Sequence, residues 1–249
     1  RRSSDLEYDD KTYNVTTIEH NAFENCSSLT SVTIPQSVTN ISYSALEGCS
    51  SLTSINIPDG VTSIGNGTFT NCTNLQTVNI SNSSKLESID GFNNCSSLTS
   101  INIPDGVTFI GDWAFDGCAN LQTASISNNS KLESICQHAF ENCSSLTSIN
   151  IPDGVTSIDD SAFRGCSSLT SIIIPDGMTN ICRYTFYGCT NLQAVSISNN
   201  SKLENIGNSA FHGCSSLTSI NIPDGVKNIG YVGGISRSEE RRVGKECRS

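Results

Sequence analysis

The chain has 249 residues, enough for one sizeable domain or, if the sequence repeats itself, one elongated array. Only 15% of residues are charged, with one Met, one Trp and three His among abundant Ser, Asn, Thr and Ile; this is a composition of short strands and turns, with few groups for acid-base chemistry. The formal charge of -10 argues against nucleic acid as a partner, and no apolar run approaches the roughly 18 residues of a membrane span, which argues against membrane insertion in this segment.

In chain order, residues 1–17 hold Leu6, Tyr8 and Val15 but no complete phrase, and read as a partial rung or an N-terminal edge strand. The opening Arg1-Arg2-Ser3-Ser4-Asp5 has no apolar segment behind its charges and does not read as a secretory signal. Residues 18–230 then repeat. Cys26, Cys49, Cys72, Cys95, Cys118, Cys143, Cys166, Cys189 and Cys214 follow one another at 23 residues, or 25 in two cases. Eight of the nine phenylalanines, from Phe23 to Phe211, share one register, with Leu46 in the remaining slot.

Each phrase predicts one turn of a coil. In Leu52-Thr53-Ser54-Ile55-Asn56-Ile57 apolar and polar residues alternate, as in a strand with one face buried. Pro58-Asp59-Gly60 ends that strand, because proline lacks an N–H and glycine accepts turn conformations. Val61 to Ile64 is a second short apolar segment, and the Ala-Phe-x-x-Cys run closes the rung through a short helical or irregular turn. So few inward residues per turn make a core only when stacked on like neighbours, and nine rungs of parallel strands at about 4.8 Å would span roughly 40 Å. A second version of the loop, Ile-Ser-Asn-(Ser/Asn)-Ser-Lys-Leu-Glu at Ile80, Ile126 and Ile197, is two residues longer. In the first of these the period is restored by a deletion: two residues separate Ile89 from Phe92 where other rungs have four.

After Gly230 the pattern stops. Residues 231–249 form a charged stretch unrelated to the repeat, read as a disordered tail that need not be native. The tail contributes +2, so the remainder carries -12. Without clear capping rungs the chain reads as a piece of a longer array whose open ends can self-associate end to end.

The run Leu-x-x-Ile-x-Ile-Pro-x-x-Val-x-x-Ile-Gly-x-x-x-Phe-x-x-Cys, seen from Leu52 to Cys72, resembles the leucine-rich repeat of BspA-like proteins of bacteria and some protist parasites. The resemblance implies a right-handed, strand-rich leucine-rich-repeat solenoid with a parallel β-sheet. It also implies a protein at the cell surface or secreted, often adhesive, binding host or other extracellular protein, with no catalytic residues to carry over and no cofactor or metal.

Candidate binding residues are the outward positions. One column holds Ser54 and its equivalents, and the next holds Asn56, Asn79, Asn102, Asn150 and Asn221, interrupted by Ser125, Ile173 and Ser196. Such neutral donors and acceptors suit a glycan or a polar protein surface, whereas the bland alternative is a ladder of like residues bonded to one another. Exposed aromatics are added as anchors: Phe109 and Trp113 in one rung, and Tyr184 with Tyr187 three rungs later. The in-register cysteines read as buried thiols, since equivalent side chains point in parallel and no Cys-x-x-Cys is present. Cys136 and His138 come nearest to a catalytic dyad, but the sequence offers no evident acid to orient the imidazole. The Pro-Asp-Gly aspartates read as turn residues and not as calcium ligands. The expected function is a non-enzymatic binding or adhesion module working through its strand face. The alternative is a stiff spacer or self-associating surface array with no ligand.

Overall fold

The computed structural model describes residues 5–8 and 11–230, with side chains from Asn14 onward; the tail reading falls outside the described residues. Asp5–Tyr8 and Lys11–Asn14 pair as an antiparallel hairpin. Beyond it the chain winds as a parallel β-solenoid of about nine turns, seven of them laying down two short strands.

The first stack holds Ser54–Asn56, Thr77–Asn79, Ser100–Ile103, Thr123–Ile126 and Ser148–Ile149, followed by the pair Ser171–Ile174 and Ala194–Ile197. The second stack, built from the Ser63–Ile64 segment and its equivalents, runs from Thr17–Ile18 to Asn228–Ile229. Both keep strict register: Thr123 pairs with Ser100 and with Ser148, and Phe109 with Ser88 and with Ser134. Register is fixed because a slip of one residue would turn every inward isoleucine to solvent.

The turn segments at Ala-Phe-x-x-Cys form no helix among the described residues. They chain tight turns in which the amide of Cys118 bonds the Phe115 carbonyl, and that of Asp116 the Trp113 carbonyl. The residue before each ladder cysteine has positive φ, and this is why glycine or asparagine always precedes it: Gly117 at 72°, Asn142 at 58°. A second left-handed residue lies four positions earlier in most rungs, among them Trp113, His138 and Tyr184. The two kinks aim every other amide at the next rung. Trp113 N bonds Gln137 O, Phe115 N bonds Ala139 O and Gly117 N bonds Glu141 O, at 2.8–3.0 Å. The turns are therefore a third inter-rung ladder, which satisfies the backbone where no strand is present.

Inside, Phe69 to Phe211 stack as a column with ring centroids 5.0–5.7 Å apart and ring planes within 14°. From Cys49 onward each thiol of the ladder bonds a main-chain carbonyl of the rung before: Cys118 Sγ to Phe92 O at 3.2 Å, Cys143 Sγ to Phe115 O at 3.2 Å. The ladder thus gives a second bond to carbonyls that already accept an amide within their own turn, and no disulfide links the described cysteines. Burial pushes the Cys72 thiol up to about 12 and raises Cys95, Cys118 and Cys143 likewise, and nucleophilic attack needs the thiolate. Treatment of the native protein with iodoacetamide at pH 8 should therefore label exposed Cys26 and spare the buried ladder until denaturant is added. Peptide mapping that finds Cys118 or Cys143 labelled at the rate of Cys26 would contradict this packing.

Candidate functional site

The ten candidate residues divide among three faces. Ser54, Asn56, Asn79, Asn102, Asn150 and Ile173 stand on the outward side of the first stack, in line with Asn221. Phe109 projects from the second stack, in Phe109–Ile110. Trp113 and Tyr184 lie on the edge formed by the left-handed turns. The expectation of one shared surface is corrected accordingly, because side chains equally outward in sequence leave the coil through different walls.

The asparagines are less free than a simple ladder implies. Asn79 Nδ2 does donate to Asn56 Oδ1 of the neighbouring rung, at 2.6 Å. Asn102 instead donates to Asn82 Oδ1 at 2.7 Å and to the Ile80 carbonyl at 3.3 Å. Asn150 repeats this with Asn128 and Ile126, and Asn221 bonds Asn199. These partners belong to the longer loops, so each asparagine staples the loop of the preceding rung. From the other side Asp59 accepts a bond from Ser83 Oγ at 2.9 Å, and Asp105 accepts one from Ser127 Oγ at 2.6 Å. Asp59 and Asp105 thus have a use within the fold, and among the described residues no group of three metal-ligating side chains converges.

Two depressions open where the asparagine column is broken by serine. At Ser125, between Asn102 and Asn150, the face dips into a cleft of about 380 Å3 bordered by Asn82 and Asp105. At Ser196, between Ile173 and Asn221, a second cleft of about 670 Å3 is bordered by Asp153 and Asp176. Ile173 is 66% exposed, so this second cleft has one apolar wall. Attention to the conspicuous asparagines passes over Ser125 and Ser196. The signal that finds them is the interruption of the column.

The turn edge carries a network of its own. The Trp113 and His138 rings stack at 3.7 Å and 6°, and His138 Nδ1 is hydrogen-bonded to the buried carboxylate of Glu141. Arg164 Nη1 donates to the other oxygen of Glu141 at 2.9 Å, its guanidinium lies 5.5 Å from the centre of the Tyr187 ring, and Tyr187 stacks on His212. The imidazole of His138 thus does have an orienting acid, contrary to the sequence reading; it is Glu141, one turn further on. Burial, and then the charges of Asp112 and Asp159, push the Cys136 thiol up. Such a thiol is a poor nucleophile at neutral pH.

No helix among the described residues is long and apolar enough to cross a membrane. No curated protein matches the chain significantly. Among solved structures it is similar to a leucine-rich repeat protein from Bacteroides ovatus, with 24% identity, 96% of this chain and 88% of that one covered, and a TM-score of 0.52. It is likewise similar to the T. pallidum leucine rich repeat protein, with 27% identity, coverage of 87% and 81%, and a TM-score of 0.53. The model of the BspA type leucine rich repeat region matches residues 3–122 and 119–232, in six copies. With the repeat, the two strand stacks and nearly the whole length matched, the chain belongs to the BspA type leucine-rich repeat family.

Proposed function

We propose that the protein is a non-catalytic binding module of the cell surface or extracellular space, recognising an extracellular protein or glycan through its strand face. The observation that carries this reading is the pair of clefts at Ser125 and Ser196, three rungs apart on the same wall of the coil. Their walls offer amide, hydroxyl and carboxylate groups that a sugar or a polar peptide can bond, and Ile173 adds an apolar contact in one of them. At about 4.8 Å per rung the clefts are roughly 14 Å apart, so an extended polymer lying along the coil can fill both and gain from divalent contact. Surface placement is supported by the family to which the chain belongs.

The staples show which positions to alter. Replacing Asn102 or Asn150 would release a loop as well as a ligand, whereas the side chains of Ser125 and Ser196 are exposed and hydrogen-bonded to no other side chain among the described residues. The test is binding of the purified chain to arrayed extracellular-matrix proteins and glycans beside a Ser125→Lys, Ser196→Lys form. Saturable binding that falls at least tenfold in the altered but equally folded protein supports the strand-face reading. Equal binding by both forms moves recognition to another face, and no binding by either returns the stiff spacer or self-associating array.

A further inference from the structure

A separate feature lies on the turn edge and shares no residue with the strand clefts. The left-handed edge position is held in successive rungs by Asn21, Ser44, Gly67, Trp113, His138, Ser161, Tyr184 and Ser209. One rung has no member in this series: the two-residue deletion between Ile89 and Phe92 removes it. With no side chain on Gly67 and no residue at all in the next rung, a slot of about 220 Å3 opens beside Trp113. We propose that this slot, floored by Gly67 and Gly91 and walled by the Trp113 indole and the carboxylates of Asp90 and Asp112, binds an organic cation. The ligand is a guanidinium or alkylammonium group, carried by an arginine or lysine of a partner protein or free in solution.

Each wall contributes a different part of the recognition. The indole is stacked on His138 on one side, yet Trp113 remains 45% exposed beside the slot, so the π-face there is open to a cation. Asp90 is pressed against Gly111, where a Cβ would come within 2.4 Å of its carboxylate, and it bonds the Gly91 amide at 2.6 Å. Four ion pairs occur among the described residues, and none of them involves Asp90 or Asp112. Burial, and then the charge of Asp112, pushes the Asp90 carboxyl up to about 6, with the Gly91 amide opposing. A cation entering the slot would relieve that repulsion. A flat apolar wall with two carboxylates is a poor cage for calcium, which needs six or more converging oxygens, but it suits a delocalised or alkylated cation.

Trp113 is the sole tryptophan of the chain, so its fluorescence reports on this slot alone. The chain is titrated at pH 7.5 and constant ionic strength with methylguanidinium, and separately with an arginine-rich peptide, against sodium chloride as control. The expected result is a saturable change in emission that weakens at least tenfold in Asp90→Asn, Asp112→Asn and disappears in Gly67→Asn. The latter variant fills the slot with a residue that already adopts the same backbone conformation at Asn21. A Cβ at Gly67 would meet its nearest neighbour, the Ser44 hydroxyl, at 3.3 Å, so the fold can accept it. A peptide at least tenfold tighter than methylguanidinium assigns the cation to a partner protein, and equal affinities assign it to a free amine. A signal that does not saturate, or one that both variants keep in full, overturns the site.

Discussion

Replacing Phe115 by alanine should cost about 4 kcal/mol, the middle of the range for removing a fully buried aromatic ring. The ring is stacked on Phe92 at 5.5 Å and on Phe140 at 5.2 Å, so its loss leaves a cavity with a ring above and below that cannot close without breaking register. In a solenoid each rung is stabilised by its two neighbours, and a weak interface in the middle uncouples the halves. Urea denaturation followed by circular dichroism should show a lower midpoint and a broader transition, or two transitions. Phe211→Ala is the control. That ring stacks on Phe186 alone and is half-buried in the last described full rung, so its loss should cost roughly half as much. Equal losses for the two variants would mean that the column is not the coupling element.

The second large effect is expected at Gly91, where the deletion draws the chain tight. Its φ is 83°, and a Cβ there would lie 2.7 Å from the Gly65 carbonyl oxygen and 2.8 Å from the Thr68 amide, both main-chain atoms of the rung below. Gly91→Ala should therefore combine left-handed strain with overpacking against backbone that cannot swing aside, roughly 3 kcal/mol in all. Gly67→Ala carries the same kind of strain, but its neighbours are side-chain ends, and about 1 kcal/mol is expected. Thermal or urea unfolding of the two variants side by side tests this difference. If Gly67→Ala proves as damaging as Gly91→Ala, the close approach at Gly91 is not what limits the shortened rung.

Much of this architecture could be read from residues alone, because the period is written in buried positions. Ile55 and Ile57 alternate with Ser54 and Asn56 as a half-buried strand should, and the cysteine and phenylalanine columns are where their spacing put them. The third ladder was hidden for a physical reason. Left-handed backbone is signalled clearly by Gly117 or Asn142, but the same conformation is held by Trp113, His138 and Tyr184, which carry no such signal. The asparagine staples were hidden because they join Asn102 to Asn82, 20 residues apart and across a loop of irregular length, where periodicity gives no register. Glu141 escaped notice for a related reason: its partners are three residues away on one side and 23 on the other, and only the coil brings His138 and Arg164 to the same carboxylate.

The staples also bear on how such a chain can lengthen. Two of the long loops are held from below by the aspartate of a Pro-Asp-Gly turn and from above by an asparagine of the next rung, at Asp59, Ser83, Asn82 and Asn102, and again at Asp105, Ser127, Asn128 and Asn150. A long-loop rung set directly on another would leave each loop without one of its anchors, whereas Pro-Asp-Gly rungs follow one another directly at Ile151 and Ile174. A pair comprising one Pro-Asp-Gly rung and one long-loop rung carries both halves of the joint and can be copied whole. Where the wall grows by long-loop rungs, its heritable brick is then two courses high.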